Sequence, residues 1–435
     1  MMPHATDCPR ETEVGQPSAP PWEVADIFRL YGETYRRVHP VPPSHQKVMH
    51  DIEACRTAQL GGHAEHCPAC GFERYAYNSC RNRHCPKCQT FPKVQWVEDR
   101  KAELLPVPYF HLVFTVPHAL NALILAHKRP LLTLLFNAAS QTLVQFGHRN
   151  LGGQVGCTMV LHTWDQTLGA HFHVHCIIAA GALSANGARW IDADPRFLFP
   201  VRALSTVFRG KFCTALAQAG ATGAVPLPEG FAQLRDQLYA HEWVVYAKAP
   251  FAGPAPVLDY VGRYTHRVAI ANHRLLDVRD GCVRFAYRNR RQGNRVQTMT
   301  LDADEFIRRF LLHVLPRGFM RLRHYGFLAN RHKARTLRRC RELLGQPSEP
   351  PHAMPRVRSS GCKRSRGSTS RNVRIVALAH SYGSLWLPCR HLGSAEARLR
   401  RCQSMTRHEP TGLPKAAGAE TITGSSEPPG GRASL

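Results

Sequence analysis

The sequence predicts an α+β protein: a small N-terminal zinc-ribbon-like unit, then an antiparallel sheet covered by helices with paired histidines on one of its strands, then an unstructured tail. Three observations carry this. From residue 170 to 178, His171, His173 and His175 alternate with Phe172, Val174 and Cys176, which is the period of a strand. Around that strand runs the order strand, helix, strand, strand, with 109–116 and 156–164 as the other strands and the apolar stretch 119–146 as helix. Upstream, Cys67-Pro-Ala-Cys70 and Cys85-Pro-Lys-Cys88 repeat one knuckle form, the spacing with which paired thiolates enclose Zn²⁺.

Residues 1–21 are polar and Pro-rich and read as disordered. The stretch 22–105 holds the N-terminal helices and the zinc-binding unit. Helical periodicity covers 22–37, and after the Pro40 to Pro43 break Ser44 is placed to cap a second helix. Cys67, Cys70, Cys85 and Cys88 make the expected four-thiolate shell. Cys80 and His84, with Cys55 and His63, offer a second zinc site. Arg74, Arg81, Arg83 and Lys87 interleave with Tyr75 and Tyr77, a mixture suited to nucleic-acid contact.

The segment 106–344 is read as the catalytic domain. Successive side chains on a strand point to opposite faces, so His171, His173 and His175 share one face and form a row of candidate ligands for a divalent cation. Residues 165–169 are a hairpin loop leading into that strand. Downstream, Tyr260 and Tyr264 lie four apart, which on a helix puts both phenols on one face, and Arg263, His266 and Arg267 surround them. A hairpin over 282–287 and 296–301 has a tip carrying Arg288, Arg290, Arg291 and Arg295 and no acid, a clamp for a phosphate backbone. Asp302 and Glu305 resemble a capping box for the helix that follows. Residues 345–435 lose all periodicity and are read as a disordered or aberrant tail.

Charge narrows the partner. The chain has 57 Lys+Arg against 31 Asp+Glu, formally +26 over 435 residues, which points to a polyanion, most simply nucleic acid. The N-terminus lacks an apolar leader, and the most apolar window is broken by His127-Lys128-Arg129-Pro130, so a membrane partner is not expected. Fifteen cysteines, several in CxxC pairs beside histidine, fit zinc sites in a reducing cytoplasm.

A cation-binding histidine row together with two helix-borne phenols suggests phosphoryl transfer on DNA. A phenol attacking phosphorus gives a covalent 5′-phosphotyrosine and a free 3′-OH, so the bond energy is kept and no ATP site is needed. The segments CRTAQLGGH, YNSCRNRHCPKCQ, LHTW, HFHVHC, YVGRYTHRVAI and RHYGFLANR resemble the rolling-circle transposases of the insertion-sequence-91 family, which are HUH endonucleases. The resemblance runs from about residue 48 to 344. It implies an HUH pair at His173 and His175 with His171 upstream, nucleophiles at Tyr260 and Tyr264, and a zinc-binding domain on the cysteine cluster. It also implies Mg²⁺ or Mn²⁺ as catalytic cofactor, and nicking and rejoining of single-stranded or hairpin DNA at element ends. For the third metal ligand, His171, Gln166, Asp165 and His266 stay open. The tail departs from the family pattern, with only scattered Cys362, Cys389 and Cys402. Two other readings compete: a catalytically inactive zinc-ribbon DNA-binding protein derived from such a transposase, and an unrelated His-x-His metallohydrolase.

Overall fold

The computed structural model describes residues 21–66, 73–88, 97–100, 103–248, 269–289 and 292–346. Its centre is a five-stranded sheet built from β3 (Tyr109–Thr115), β5 (Gly156–Trp164), β6 (Ala170–Ala179), β9 (Val245–Lys248) and β13 (Leu322–Gly326). The spatial order is β13-β5-β6-β3-β9 and every pairing is antiparallel. The α+β class and the helix-covered antiparallel sheet are therefore as the sequence predicts. The basic segment after residue 317 holds a strand, β13, that periodicity did not reveal.

Alternation along these strands decides which face is covered. Phe110, Leu112 and Phe114 of β3, Met159 and Leu161 of β5, and Phe172, Val174 and Cys176 of β6 are buried in one cluster, against helices Lys128–Phe146 and Val201–Ala221. Burying each such large side chain contributes roughly 1.5–3 kcal/mol, so this face is fixed. The histidines go to the other face.

Smaller sheets surround the centre. β1 (Gly62–His66) and β2 (Glu73–Tyr77) form a two-stranded ribbon, and β4 (Gly153–Gln154), β7 (Gly181–Ser184) and β8 (Trp190–Asp192) a three-stranded sheet. The expected arginine hairpin is present as β11 (Cys282–Asn289) and β12 (Arg295–Asp302), joined at its edge by β10 (Leu275–Arg279). A second core unites helix Val24–Val38, helix Pro43–Glu53, three of the cysteines, this sheet and helix Ala303–Leu312. It joins residues on both sides of position 105, with Phe28 meeting Phe310 edge-on at 5.4 Å.

Two expected helix caps form differently. Pro42 and not Ser44 precedes the second helix, with Pro43 in its first turn, where a missing N–H costs nothing. Asp302 makes no side-chain cap; Glu305 instead bonds Arg308 and Arg309, because two cations one turn away outcompete a backbone amide for its carboxylate.

Candidate metal centre and nucleic-acid surface

His173 and His175 project from β6, and the third imidazole comes from β5. In the pairing of these strands His162 stands opposite His173, and Val160 opposite His175, so His162 shares their face. One nitrogen from each of His162, His173 and His175 lies within 4.8 Å of the other two. His162 and His175 are buried, and His173 is partly exposed.

His171, the expected upstream ligand, is not in this group. It points along the same face but stacks on His118 at 5.3 Å between ring centroids. Asp165 is also engaged elsewhere: its Oδ1 accepts from the backbone N–H groups of Thr167 and Gly169, both at 2.8 Å, closing the hairpin loop. Gln166 sits in the same hairpin loop, its backbone carbonyl accepting from Arg274 Nη2 at 2.6 Å, and His266 lies outside the described residues.

The donor set fits a divalent cation. His173 Nδ1 lies 3.1 Å from the His171 carbonyl, and a carbonyl can only accept, so Nδ1 carries the proton and the neutral ring turns its Nε2 lone pair to the cluster. That Nε2 is 3.1 Å from His175 Nε2. Two ligands on adjacent corners of an octahedron with bonds of about 2.1 Å stand about 3 Å apart. Trp164 closes one side, stacked on His162 at 4.8 Å.

Behind His175 lies His111 of β3, with Nε2 2.8 Å from His175 Nδ1. Burial, with Lys248 adding to it, pushes its imidazole down to about 4. It is therefore neutral at physiological pH.

The cysteines sort differently from the knuckle reading. Cys55, Cys80, Cys85 and Cys88 bring their sulfurs within 4.8 Å of one another, with Cys55 and Cys88 at 3.4 Å and Cys80 and Cys88 at 3.6 Å. Cys85 and Cys88 thus complete their shell with the two cysteines expected in a second site. Cys67 and Cys70 lie outside the described residues. Four soft sulfurs, three of them buried in the second core, suit a closed structural Zn²⁺ site. His63 is exposed on β1, and His84 lines a small cavity with Arg83, Thr163, His313 and Arg321, so neither histidine joins the sulfurs.

The same loop anchors the zinc region to the sheet. Arg83, between Cys80 and Cys85, donates to the carbonyls of Phe319 at 2.6 Å and Pro316 at 3.1 Å. Two residues on, the Arg321 carbonyl accepts from Leu161 N at 2.8 Å, next to His162. Lys128 donates to Leu312 and Val314 carbonyls, both at 3.0 Å, satisfying the C-terminal end of helix Ala303–Leu312.

Of the residues read from sequence as DNA contacts, Arg288 and Arg295 are exposed beside the turn of the β11–β12 hairpin. Arg263, Arg267, Arg290, Arg291 and both tyrosines, Tyr260 and Tyr264, lie outside the described residues. Tyr75 and Tyr77 are 70% and 49% exposed on β2. Among the described residues no helix is long and apolar enough to cross a membrane.

Comparison with known proteins gives this joining of a zinc-binding segment to a histidine-bearing sheet its class, a two-part transposase. A family model described as "Transposase zinc-binding domain" matches residues 27–116, and one described as "Putative transposase" matches 156–335. The chain is 50% identical over 343 residues to a "Putative transposase y4qJ" of Sinorhizobium fredii (strain NBRC 101917 / NGR234), covering 75% of this chain and 86% of the relative. It is 28% identical over 288 residues to the "Transposase for insertion sequence element IS801" of Pseudomonas savastanoi pv. phaseolicola, covering 64% of this chain and 68% of the relative. No solved structure matches. The chain belongs to the insertion-sequence-91 family of transposases, and hence to proteins that bind DNA.

Proposed function

We propose that this transposase is an HUH-type endonuclease and strand transferase that nicks and rejoins single-stranded DNA at element ends, in rolling-circle transposition, through a 5′-phosphotyrosine intermediate. The observation that supports it is the group of His162, His173 and His175 on the face of the central sheet opposite its main core. A divalent cation bound there supplies positive charge to the scissile phosphate and its leaving oxygen.

The chain's own residues do the rest. His162, His173 and His175 would hold the ion from two paired strands, and Trp164 stacks on the His162 ring. Tyr260 and Tyr264 are the proposed nucleophiles, one holding the first cleaved strand while the other attacks a second phosphate. Arg263 and Arg267, flanking them in sequence, and Arg288, Arg290, Arg291 and Arg295 of the hairpin would neutralise the backbone on either side. Three nitrogen donors suit Mn²⁺ better than Mg²⁺, which prefers oxygen. The Cys55, Cys80, Cys85 and Cys88 shell would hold a structural Zn²⁺.

The decisive experiment incubates the full chain with labelled single-stranded element-end DNA and Mn²⁺. A denaturation-resistant protein–DNA adduct is expected, lowered by Tyr260→Phe or Tyr264→Phe and abolished in the double variant. Tight binding with no adduct under any divalent cation would leave an inactive DNA-binding relative in its place.

A further inference from the structure

We propose that His111 is the positioning residue of the metal centre: its Nε2 accepts the Nδ1–H of His175 and thereby leaves the His175 Nε2 lone pair turned toward the ion. This rests on the reading of His162, His173 and His175 as a metal site. The nitrogens are 2.8 Å apart. The rings lie within 6° of coplanar with centroids 5.1 Å apart, so they meet edge to edge, with the N–H along the partner's in-plane lone pair.

The strand pairing explains how they meet. Val113 of β3 stands opposite His175 and His111 stands opposite Ile177, so His111 is the diagonal neighbour of His175 on the same face, within reach of a long side chain. Both rings are buried, at 2% and 7% exposure, and water competes little for the bond. A buried imidazole is an expensive choice for this position. An apolar residue would pack there without a polar group to satisfy, whereas a buried imidazole is destabilising unless it is hydrogen-bonded.

The chemistry fixes the direction. Nε2 of His175 faces Nε2 of His173 at 3.1 Å, and His173 turns a lone pair there because its own proton is given to the His171 carbonyl. For both rings to bind one cation, His175 must carry its proton on Nδ1. That proton needs an acceptor, and the His111 Nε2 lone pair is the acceptor it meets. Partners of this kind lock a ligand's tautomer and orientation and raise its basicity.

Two readouts independent of strand transfer test this. In titrations of the full chain with Mn²⁺ alone, His111→Phe, which keeps a flat ring but has no acceptor, is expected to weaken binding by about 10–100-fold. His111→Gln, whose side-chain carbonyl can accept, is expected to recover most of that loss. In the Mg²⁺-loaded wild type, ¹⁵N NMR is expected to show His175 protonated at Nδ1, with a coupling across the hydrogen bond to His111. A folded His111→Phe protein that binds Mn²⁺ like wild type, or a His175 protonated at Nε2 in the loaded protein, overturns the proposal. Should His111→Phe fail to fold, the wild-type NMR result decides alone. Failure of the underlying reading looks different: wild type binds no Mn²⁺, or His175→Ala binds it unchanged, and both claims then fall.

Discussion

Among the described residues two clusters can hold a cation, and they are built on opposite plans. The sulfur cluster draws on the end of helix Pro43–Glu53 and on the loop after β2, and three of its four cysteines are part of a hydrophobic core. The imidazole cluster is carried by two paired strands and lies on the face of the sheet away from the main core. One plan makes the ion a component of the fold. The other makes the fold a support for the ion. Four thiolates would close the shell of a structural zinc, whereas three imidazoles leave part of a cation's coordination shell to other ligands.

The largest effect should come from the sulfur side. Cys85→Ser is expected to lower bound zinc and to unfold the second core, because structural zinc binding is coupled to folding with apparent energies on the order of 10 kcal/mol. Metal analysis beside thermal unfolding checks this, and a variant that keeps wild-type stability without zinc would erase the contrast between the clusters. Next comes His162→Ala. It should weaken Mn²⁺ binding more than about 100-fold, beyond the 10–100-fold typical of residues behind the ligands, while the melting temperature stays close to wild type. A collapse of the melting temperature would mean that this cluster too belongs to the fold.

The smallest effect concerns His313, which ties the two regions together. Its Nε2 donates to the Leu168 carbonyl at 3.0 Å, and its Nδ1 lies 3.2 Å from Thr163 Oγ1. Burial pushes it down to about 4. In the unfolded chain it titrates near about 6.5, so between those values the unfolded state takes up a proton that the folded state refuses. Stability is therefore full above about pH 6.5 and falls on the order of 2 kcal/mol as pH drops toward 4. Urea unfolding from pH 7 to 4 should show this, and His313→Gln should flatten that part of the profile.

The fold was legible where periodicity and burial agree. The alternation of β6 put its histidines on one face in the sequence as in the structure. His162 was not legible, although LHTW stands in plain view, because its face depends on a register that sequence alone does not give. Trp164 stands opposite Ala170, yet His162 stands opposite His173 and not Phe172. A bulge between positions 162 and 164 shifts the pairing by one, and a shift of one exchanges faces. The cysteines were visible for a simpler reason and mis-sorted for a related one. Spacing identifies residues that can bind zinc, but which of them meet depends on how the chain between them folds, and Cys55 reaches the group from the end of a helix far away in sequence.

That one irregularity, where residues 171 and 172 of β6 face the single residue 163 of β5, is the hinge of the whole arrangement. A sister copy of the element whose β5 slid by one residue along β6 would turn His162 inward and Met159 and Leu161 outward together, so the three-imidazole group and the greasy interior are inherited or lost as one.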